Sequence, residues 1–120
     1  MSLLPDIISI QRDGQRATLI LDLRTDLSYF RGHFPGLPIL PGVVQVQWAI
    51  RLACQQFPGL PIGRFGGLKA LKFLAPIRPG SRLTLELAWH PELSRLDFNF
   101  MNEGRKVGTG QAMFALEANQ

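Results

Sequence analysis

The stretch GVVQVQWAIRLACQQF, residues 42–57, decides the fold. Five of its residues recur at the spacing of one helical stripe: Val43, Gln47, Ile50, Cys54 and Phe57. Pro41 is well placed to start a helix, and Pro58-Gly59 is a typical stop signal. Further apolar residues lie beside the stripe, so the predicted helix is apolar over most of its circumference. Such a helix needs cover on nearly every side.

Apolar residues alternate with polar ones on both sides of this helix, which predicts strands. The predicted strands cover residues 7–10, 16–23, 68–74, 82–90, 95–101 and 106–116. Asp13-Gly14 predicts a hairpin between the first two, and Gly108 and Gly110 indicate a bulge or close backbone contact in the last. Two strands, a helix and a meander of four strands define an α+β fold, an antiparallel sheet wrapped around one central helix. Exposed edges and an apolar flank predict a dimer.

Length and composition narrow the class of protein. The 120 residues form one predicted domain, 1–120, and 46% apolar residues exclude intrinsic disorder. A single cysteine, Cys54, indicates a reducing compartment and excludes a zinc site built from cysteines. Neither a signal peptide nor an apolar run of bilayer length is present, so we expect a cytoplasmic protein without membrane contact. A net charge of +4 comes with no nucleic-acid-binding motif, so nucleic acid is the weakest candidate partner.

A loop rich in glycine and proline leads into the helix. Residues 30–42, FRGHFPGLPILPG, hold three of the nine prolines and three of the twelve glycines, together with His33. Each proline fixes its own φ and restricts the residue before it, so the loop is stiff. A stiff loop that brings His33 to the start of a helix is a plausible catalytic device. A plain connector with a surface histidine fits the same residues equally well.

The same loop carries a motif. His33-Phe34-Pro35-Gly36-x-Pro38-x-x-Pro41-Gly42-Val43 resembles the active-site motif of the 3-hydroxyacyl-acyl-carrier-protein dehydratases of fatty-acid synthesis. The apolar strand that runs into a Pro-Gly turn, residues 73–83, is similar to that family's segment after the helix. The resemblance covers about Leu19 to Phe114. It implies the hotdog fold, in which a sheet wraps a long helix and two subunits join into one continuous sheet. Residues 43–48, VVQVQW, resemble the subgroup of aryl-polyene-pathway dehydratases.

The resemblance also implies roles for individual residues. His33 stands where the family has its base, and Gly42 where a backbone N–H binds the thioester oxygen. The family's second catalytic group is a carboxylate fourteen residues after the histidine, on the partner subunit's helix, and this chain has Gln47 there. Arg51 lies one helical turn from Gln47. The remaining expected substrate-binding residues are Phe34, Leu37, Val43, Trp48 and Phe73, although core packing explains all of them except Val43 equally well.

Gln47 leaves three possibilities open, because an amide cannot donate a proton as an acid. The protein could dehydrate 3-hydroxyacyl thioesters with His33 alone shuttling the proton. It could act on a substrate that is more easily dehydrated. It could also bind acyl thioesters without turning them over. Thioester hydrolysis, which other hotdog proteins perform, usually needs a carboxylate to activate water and is a less favoured alternative.

The chain needs no cofactor of its own under this interpretation, because the substrate is carried on the phosphopantetheine of acyl carrier protein or on CoA. Basic residues in the second half could receive an acidic acyl carrier protein: Arg64, Lys69, Lys72, Arg78 and Arg82. A solvated basic face explains them equally well. His90, at a strand end before Pro91, shows no carboxylate or cysteine partner in the sequence, which argues against a metal ligand.

Overall fold

The structure is a computed structural model that describes residues 4–24 and 39–116. It contains six strands and one long helix, and all were expected from the sequence. They are β1 (Asp6–Asp13), β2 (Arg16–Asp22), α1 (Gly42–Gln56), β3 (Phe65–Phe73), β4 (Arg82–His90), β5 (Arg95–Asn102) and β6 (Arg105–Phe114). Two short 3-10 turns, Ile62–Arg64 and Pro91–Leu93, were not predicted. Within the described ranges, no helix is long and apolar enough to cross a bilayer.

The strands form one antiparallel sheet in the order β1-β2-β4-β5-β6-β3. The predicted meander of four strands is therefore wrong in one respect. Strands β4, β5 and β6 do follow one another, but β3 pairs with β6 at the far edge and not with β4. Residues 74–81, which contain Pro76, Pro79 and Gly80, carry the chain from that edge back to β4. As a result, β3 and β1 are the two edges of the sheet.

The alternation read from the sequence matches the burial of the central strands. One face of β2, β4 and β5 is packed into the core: Ala17, Leu19, Leu21, Leu83, Leu85, Leu87, Leu96, Phe98 and Phe100 are all at most 2% exposed. Their neighbours along each strand are half-buried or exposed. This period of two places the apolar side chains of three adjacent strands on the same face of the sheet, where they pack with the helix in one core.

Helix α1 contacts the core with one face, and most of the predicted apolar stripe lies on the other. Its buried residues are Val44, Gln45, Trp48, Ala49, Leu52 and Ala53. Of the predicted stripe, Val43 is 66% exposed, Gln47 is exposed, Ile50 and Cys54 are half-buried, and only Phe57, just after the helix, is buried. The first four lie on the opposite side of the helix from the buried residues, at 100° per residue. The helix is thus apolar on two faces, and only one of them is covered within the protomer.

The two glycines of β6 allow close contacts, as the sequence indicated. A Cβ at Gly108 would collide with Oε1 of Gln45 from the helix. A Cβ at Gly110 would lie 2.6 Å from the ring of Phe98 and 2.9 Å from Leu71 Cδ1. Glycine at both positions therefore lets side chains from α1, β3 and β5 pack directly against the backbone of β6.

Candidate active site

The first turn of α1 presents backbone N–H groups that no described residue satisfies. Pro41 precedes the helix in an extended conformation and offers no side-chain cap. Its carbonyl oxygen accepts from the N–H of Val44 at 3.1 Å and of Gln45 at 3.2 Å. Among the described residues, no acceptor lies within hydrogen-bond distance of the Gly42 or Val43 N–H. These two amides and the positive end of the helix dipole can bind an anionic oxygen.

A cavity of about 270 Å³ lies beside this helix start. It is lined by Leu40, Gly42, Gln45, Phe73, Leu74, Ala75 and Pro76. The end of β3 forms one wall, and the ring of Phe73 rests directly on Gly42, where a Cβ would lie 2.5 Å from Cζ. Apart from backbone groups, Gln45 is the one polar residue in this lining. The cavity therefore suits an acyl chain whose polar end lies at the helix start.

Gln45 is a site residue that the sequence interpretation missed. Its side chain is buried, 3% exposed, at the centre of the covered helix face. Nε2 donates to the Leu40 carbonyl at 3.4 Å, while Oε1 has no hydrogen-bond partner. The sequence did hold a signal, because a glutamine three and four residues before Trp48 and Ala49 falls on one helical face with them. That signal can be interpreted only when it is known which face of the helix is buried.

Gln47 and Arg51 lie on the other side of the helix, and both are exposed. They share the uncovered face with Val43, and none of the three lines the cavity beside Gly42. Gln45 and Gln47 thus point in nearly opposite directions, as two residues apart on a helix must. Any role of Gln47 in catalysis requires a second subunit, which is the arrangement that the resemblance implies.

The other predicted site residues divide into three groups. His33, Phe34 and Leu37 lie outside the described residues. Trp48 is 1% exposed and belongs to the core, and it is not part of the cavity lining. The predicted carrier-docking residues are all exposed: Arg64, Lys69, Lys72, Arg78 and Arg82. Of these, Arg64 donates from Nε to the Ala115 carbonyl at 2.9 Å, so it also ties the start of β3 to the end of β6.

His90 does have carboxylate partners, contrary to the expectation from sequence. Its Nε2 lies 3.2 Å from Asp97 Oδ2, and its Nδ1 lies 3.6 Å from Glu92 Oε1. Arg95 binds the same Asp97 with two N–H groups, at 2.8 and 3.2 Å. Strand pairing explains why Asp97 was missed, because β4 and β5 bring together residues that are seven apart in the chain. Glu92 follows His90 by only two residues, so that partner was visible in the sequence. No group of three potential metal ligands occurs in the described part of the chain, so this cluster is a polar network on the sheet.

Cys54 offers no activated nucleophile. Burial raises the pKa of its thiol above the ordinary value, because desolvation disfavours the thiolate. A reactive cysteine needs the opposite shift, which a nearby cation or helix N-terminus would supply. Cys54 lies instead in the last turns of α1, away from the helix start.

An antiparallel sheet wrapped around one long helix is the architecture of the hotdog fold. The family model described as ApeI dehydratase, ApeI-like, matches residues 9–111. The chain therefore belongs to the ApeI-like family of dehydratases, and the predicted resemblance is confirmed.

Curated relatives support the same assignment. The chain is 36% identical over 115 residues to the 3-hydroxyacyl-[acyl-carrier-protein] dehydratase FabZ of Thermomicrobium roseum, covering 86% of this chain and 74% of that protein. It is 32% identical over 123 residues to the FabZ of Acetivibrio thermocellus, covering 95% of this chain and 84% of the relative. These shares include nearly the whole of the fold.

A solved structure agrees in three dimensions. The dehydratase heterocomplex ApeI:P from Xenorhabdus doucetiae contains a chain that superimposes with a TM-score of 0.84 at 30% identity. The alignment covers 93% of this chain and 98% of that one. The hotdog fold predicted from the sequence is thereby confirmed.

Proposed function

We propose that the protein dehydrates 3-hydroxyacyl thioesters, carried on acyl carrier protein or CoA, to trans-2-enoyl thioesters in fatty-acid or polyene-type lipid synthesis. The observation that carries this proposal is the start of α1. The N–H groups of Gly42 and Val43 face no described acceptor, and apart from Gln45 the described side chains that line the cavity beside them are apolar. A thioester is complementary to this site. Its oxygen, which gains negative charge in the reaction, suits the two N–H groups, and its apolar chain suits the cavity.

The reaction needs a base, an anion site and a route for the hydroxyl. His33 removes a proton from the carbon next to the thioester, and the thioester oxygen gains charge against the Gly42 N–H. One such preorganised donor contributes about 3 kcal/mol to transition-state stability. The electron pair then forms the carbon–carbon double bond as the C3–O bond breaks. The hydroxyl takes the proton back from the imidazolium and leaves as water, so the atoms balance without an additional acid.

We further propose that two copies of the chain form the active unit. The uncovered helix face, with Val43, Gln47 and Ile50, is apolar enough to need cover. Strand β3 is a sheet edge with exposed Phe65, Leu68, Leu71 and Phe73. A partner that covers both would extend the sheet and bring its own Gln47 towards the site. The related ApeI:P assembly is a heterocomplex. The alternative to a homodimer is therefore a complex in which a different chain takes the place of the second copy.

The carrier is an acidic acyl carrier protein in this proposal, and it docks on the basic residues near the cavity mouth. Lys69 and Lys72 lie on β3, the strand whose end lines the cavity, and both are exposed. Arg78 and Arg82 follow along the chain beyond Pro76, another lining residue. Long-range attraction between opposite charges would bring the carrier to this edge, and its phosphopantetheine arm would deliver the thioester.

The test compares the purified protein with a His33→Ala variant on a 3-hydroxyacyl thioester, and it follows the ultraviolet absorbance of the enoyl product. We expect the substitution to lower the rate by at least about a hundredfold, the range that a positioned acid–base group supplies. His90→Ala is the matched control and should retain full activity. Turnover that persists in His33→Ala would overturn the mechanism. Release of free thiol without enoyl product would indicate a thioesterase, and binding without either product would indicate a non-catalytic protein that binds acyl thioesters or the acyl carrier.

A further inference from the structure

The buried amide of Gln45 has an acceptor that the folded chain leaves unused. Gln45 is 3% exposed, and its Oε1 has no hydrogen-bond partner. The other end of the amide is engaged, because Nε2 donates to the Leu40 carbonyl. A carbonyl can only accept, so the orientation of the amide is fixed by Leu40. Burying an acceptor without a partner is costly, and proteins rarely keep one without a reason.

The surroundings of Oε1 are shaped to keep it in place. Strand β6 has glycine at position 108, where any Cβ would collide with this oxygen. The ring of Phe73 is the next neighbour of the same position, 3.8 Å from the site of that Cβ. The amide therefore sits between the helix and the sheet, and Gln45 is also one of the residues that line the cavity beside Gly42.

The position along the helix relates Gln45 to the proposed anion site. Gly42 and Gln45 are three residues apart, so their backbones are displaced by about 4.5 Å along the axis. Both line the same cavity, whose other walls are Leu40, Phe73 and the segment 74–76. A molecule held by its carbonyl oxygen at Gly42 thus has one buried acceptor within reach, about one helical turn away.

We propose that Gln45 is a substrate-binding residue whose Oε1 accepts a hydrogen bond from the 3-hydroxyl of the acyl thioester. The inference rests on the proposed function, which supplies this substrate. An acceptor needs an O–H or N–H donor, and a saturated acyl chain offers one only at the 3-hydroxyl. That hydroxyl is two carbons from the thioester carbonyl, and Gly42 and Gln45 line the same cavity, so one short ligand can contact both. The same oxygen of Gln45 can still accept a hydrogen bond from the departing water.

The experiment measures binding, so that it does not depend on turnover. The ligands are a 3-hydroxyacyl thioester and the saturated acyl thioester of the same length, both on N-acetylcysteamine, and calorimetry gives the two dissociation constants. In the His33→Ala background, which prevents conversion, we expect the hydroxylated ligand to bind about five- to tenfold more tightly, the gain from one hydrogen bond to a buried acceptor. Gln45→Met conserves volume but removes the acceptor, and it should reduce this ratio to about one.

A second variant and a control keep the result interpretable. Gly108→Ala pushes the Gln45 amide out of position and should reduce the same ratio, even if Gln45→Met does not fold. Gln55→Met, on an exposed position of the same helix, should leave the ratio unchanged. A ratio that survives in both Gln45→Met and Gly108→Ala would overturn the proposal. So would equal weakening of both ligands, since that would make the N-acetylcysteamine amide the donor.

The outcome separates this inference from the proposed function. A protein that dehydrates its substrate but shows no change in the ratio on Gln45→Met would support the function and refute the role of Gln45. A protein that prefers the hydroxylated ligand through Gln45 but never forms the enoyl product would support the binding site and refute the enzyme.

Discussion

The ring of Phe73 covers Gly42 at the first turn of α1. A Cβ on Gly42 would lie 2.5, 2.6 and 3.0 Å from three carbons of that ring. Phe73 ends β3, so this one contact joins an edge of the sheet to the start of the helix. It also places an aromatic wall against the backbone that carries the proposed anion site. Phe73 is 48% exposed, so the ring is held from one side only.

The contact predicts a coupled effect of two substitutions. Gly42→Ala should lower the free energy of unfolding by about 1–3 kcal/mol, because the new methyl group meets the ring. The same change made in a Phe73→Leu background should cost less, with a coupling of at least about 0.5 kcal/mol. Urea unfolding of the four proteins measures the cycle. Gly59→Ala, where a Cβ meets nothing within 4 Å, is the matched control. Additive effects would contradict the contact.

The sequence predicted the elements of this fold better than their arrangement. Helix α1 was placed to within one residue, because Pro41 and Pro58-Gly59 act locally. Which face of the helix is covered could not be predicted, because both faces are apolar and local spacing does not show which one packs against the sheet. The pairing of β3 with β6 was missed for a related reason. Strand partners separated by tens of residues leave no local pattern.

The candidate site shows the same division. The resemblance supplied His33, Gly42 and Gln47 from a linear motif, and such motifs name residues without naming their surroundings. Gln45 was passed over because, two residues from Gln47 on a helix, its side chain points in another direction. Its importance comes from burial, from Gly108 on a strand sixty residues later, and from an oxygen left without a partner. These are properties of packing, which only the folded chain defines.

The glutamine at position 47 leads to the prediction that replacing it by glutamate raises the activity. Gln47→Glu adds a group that can protonate the leaving hydroxyl, a contribution worth about a hundredfold or more in favourable cases. We expect kcat on a 3-hydroxyacyl thioester to rise by at least about tenfold, with little change in stability because the side chain is exposed. Gln55→Glu controls for added charge on the helix. A fall in kcat would show that the amide itself is adapted to the reaction.

The uncovered helix face predicts that one charge disrupts the dimer. Val43 is 66% exposed within the protomer, so Val43→Lys should leave the monomer folded. Burying a lysine without a partner in an apolar interface is unfavourable, and we expect the dissociation constant of the dimer to rise by at least about tenfold. Sedimentation equilibrium measures the change, and circular dichroism confirms the fold. Gln55→Lys should have no such effect. If Val43→Lys stays as dimeric as the parent protein, another surface forms the interface.

A bulge in β3 places the Phe73 side chain on the face of the sheet that carries the site. It also predicts that one alanine-to-glycine substitution in β3 stabilises the protein. Lys69 pairs with Gln111 and Lys72 with Thr109, so two residues of β3 lie opposite Gly110 alone. The extra residue turns Leu71 towards Gly110 and keeps Phe73 on the inner face of the sheet. In a regular strand without the bulge, both side chains would point to the outer face.

Ala70 absorbs the distortion with φ +52°, a left-handed conformation that costs about 1–2 kcal/mol for a residue with a Cβ. Ala70→Gly relieves that cost and loses about 0.4–1 kcal/mol through the entropy of the unfolded chain. We therefore expect a net gain of about 0.5 kcal/mol in the free energy of unfolding, measured by urea denaturation. Ala88→Gly, in the regular part of β4, should instead lose about 1 kcal/mol. Equal losses in the two variants would mean that Ala70 is not strained, and the bulge would then need another explanation.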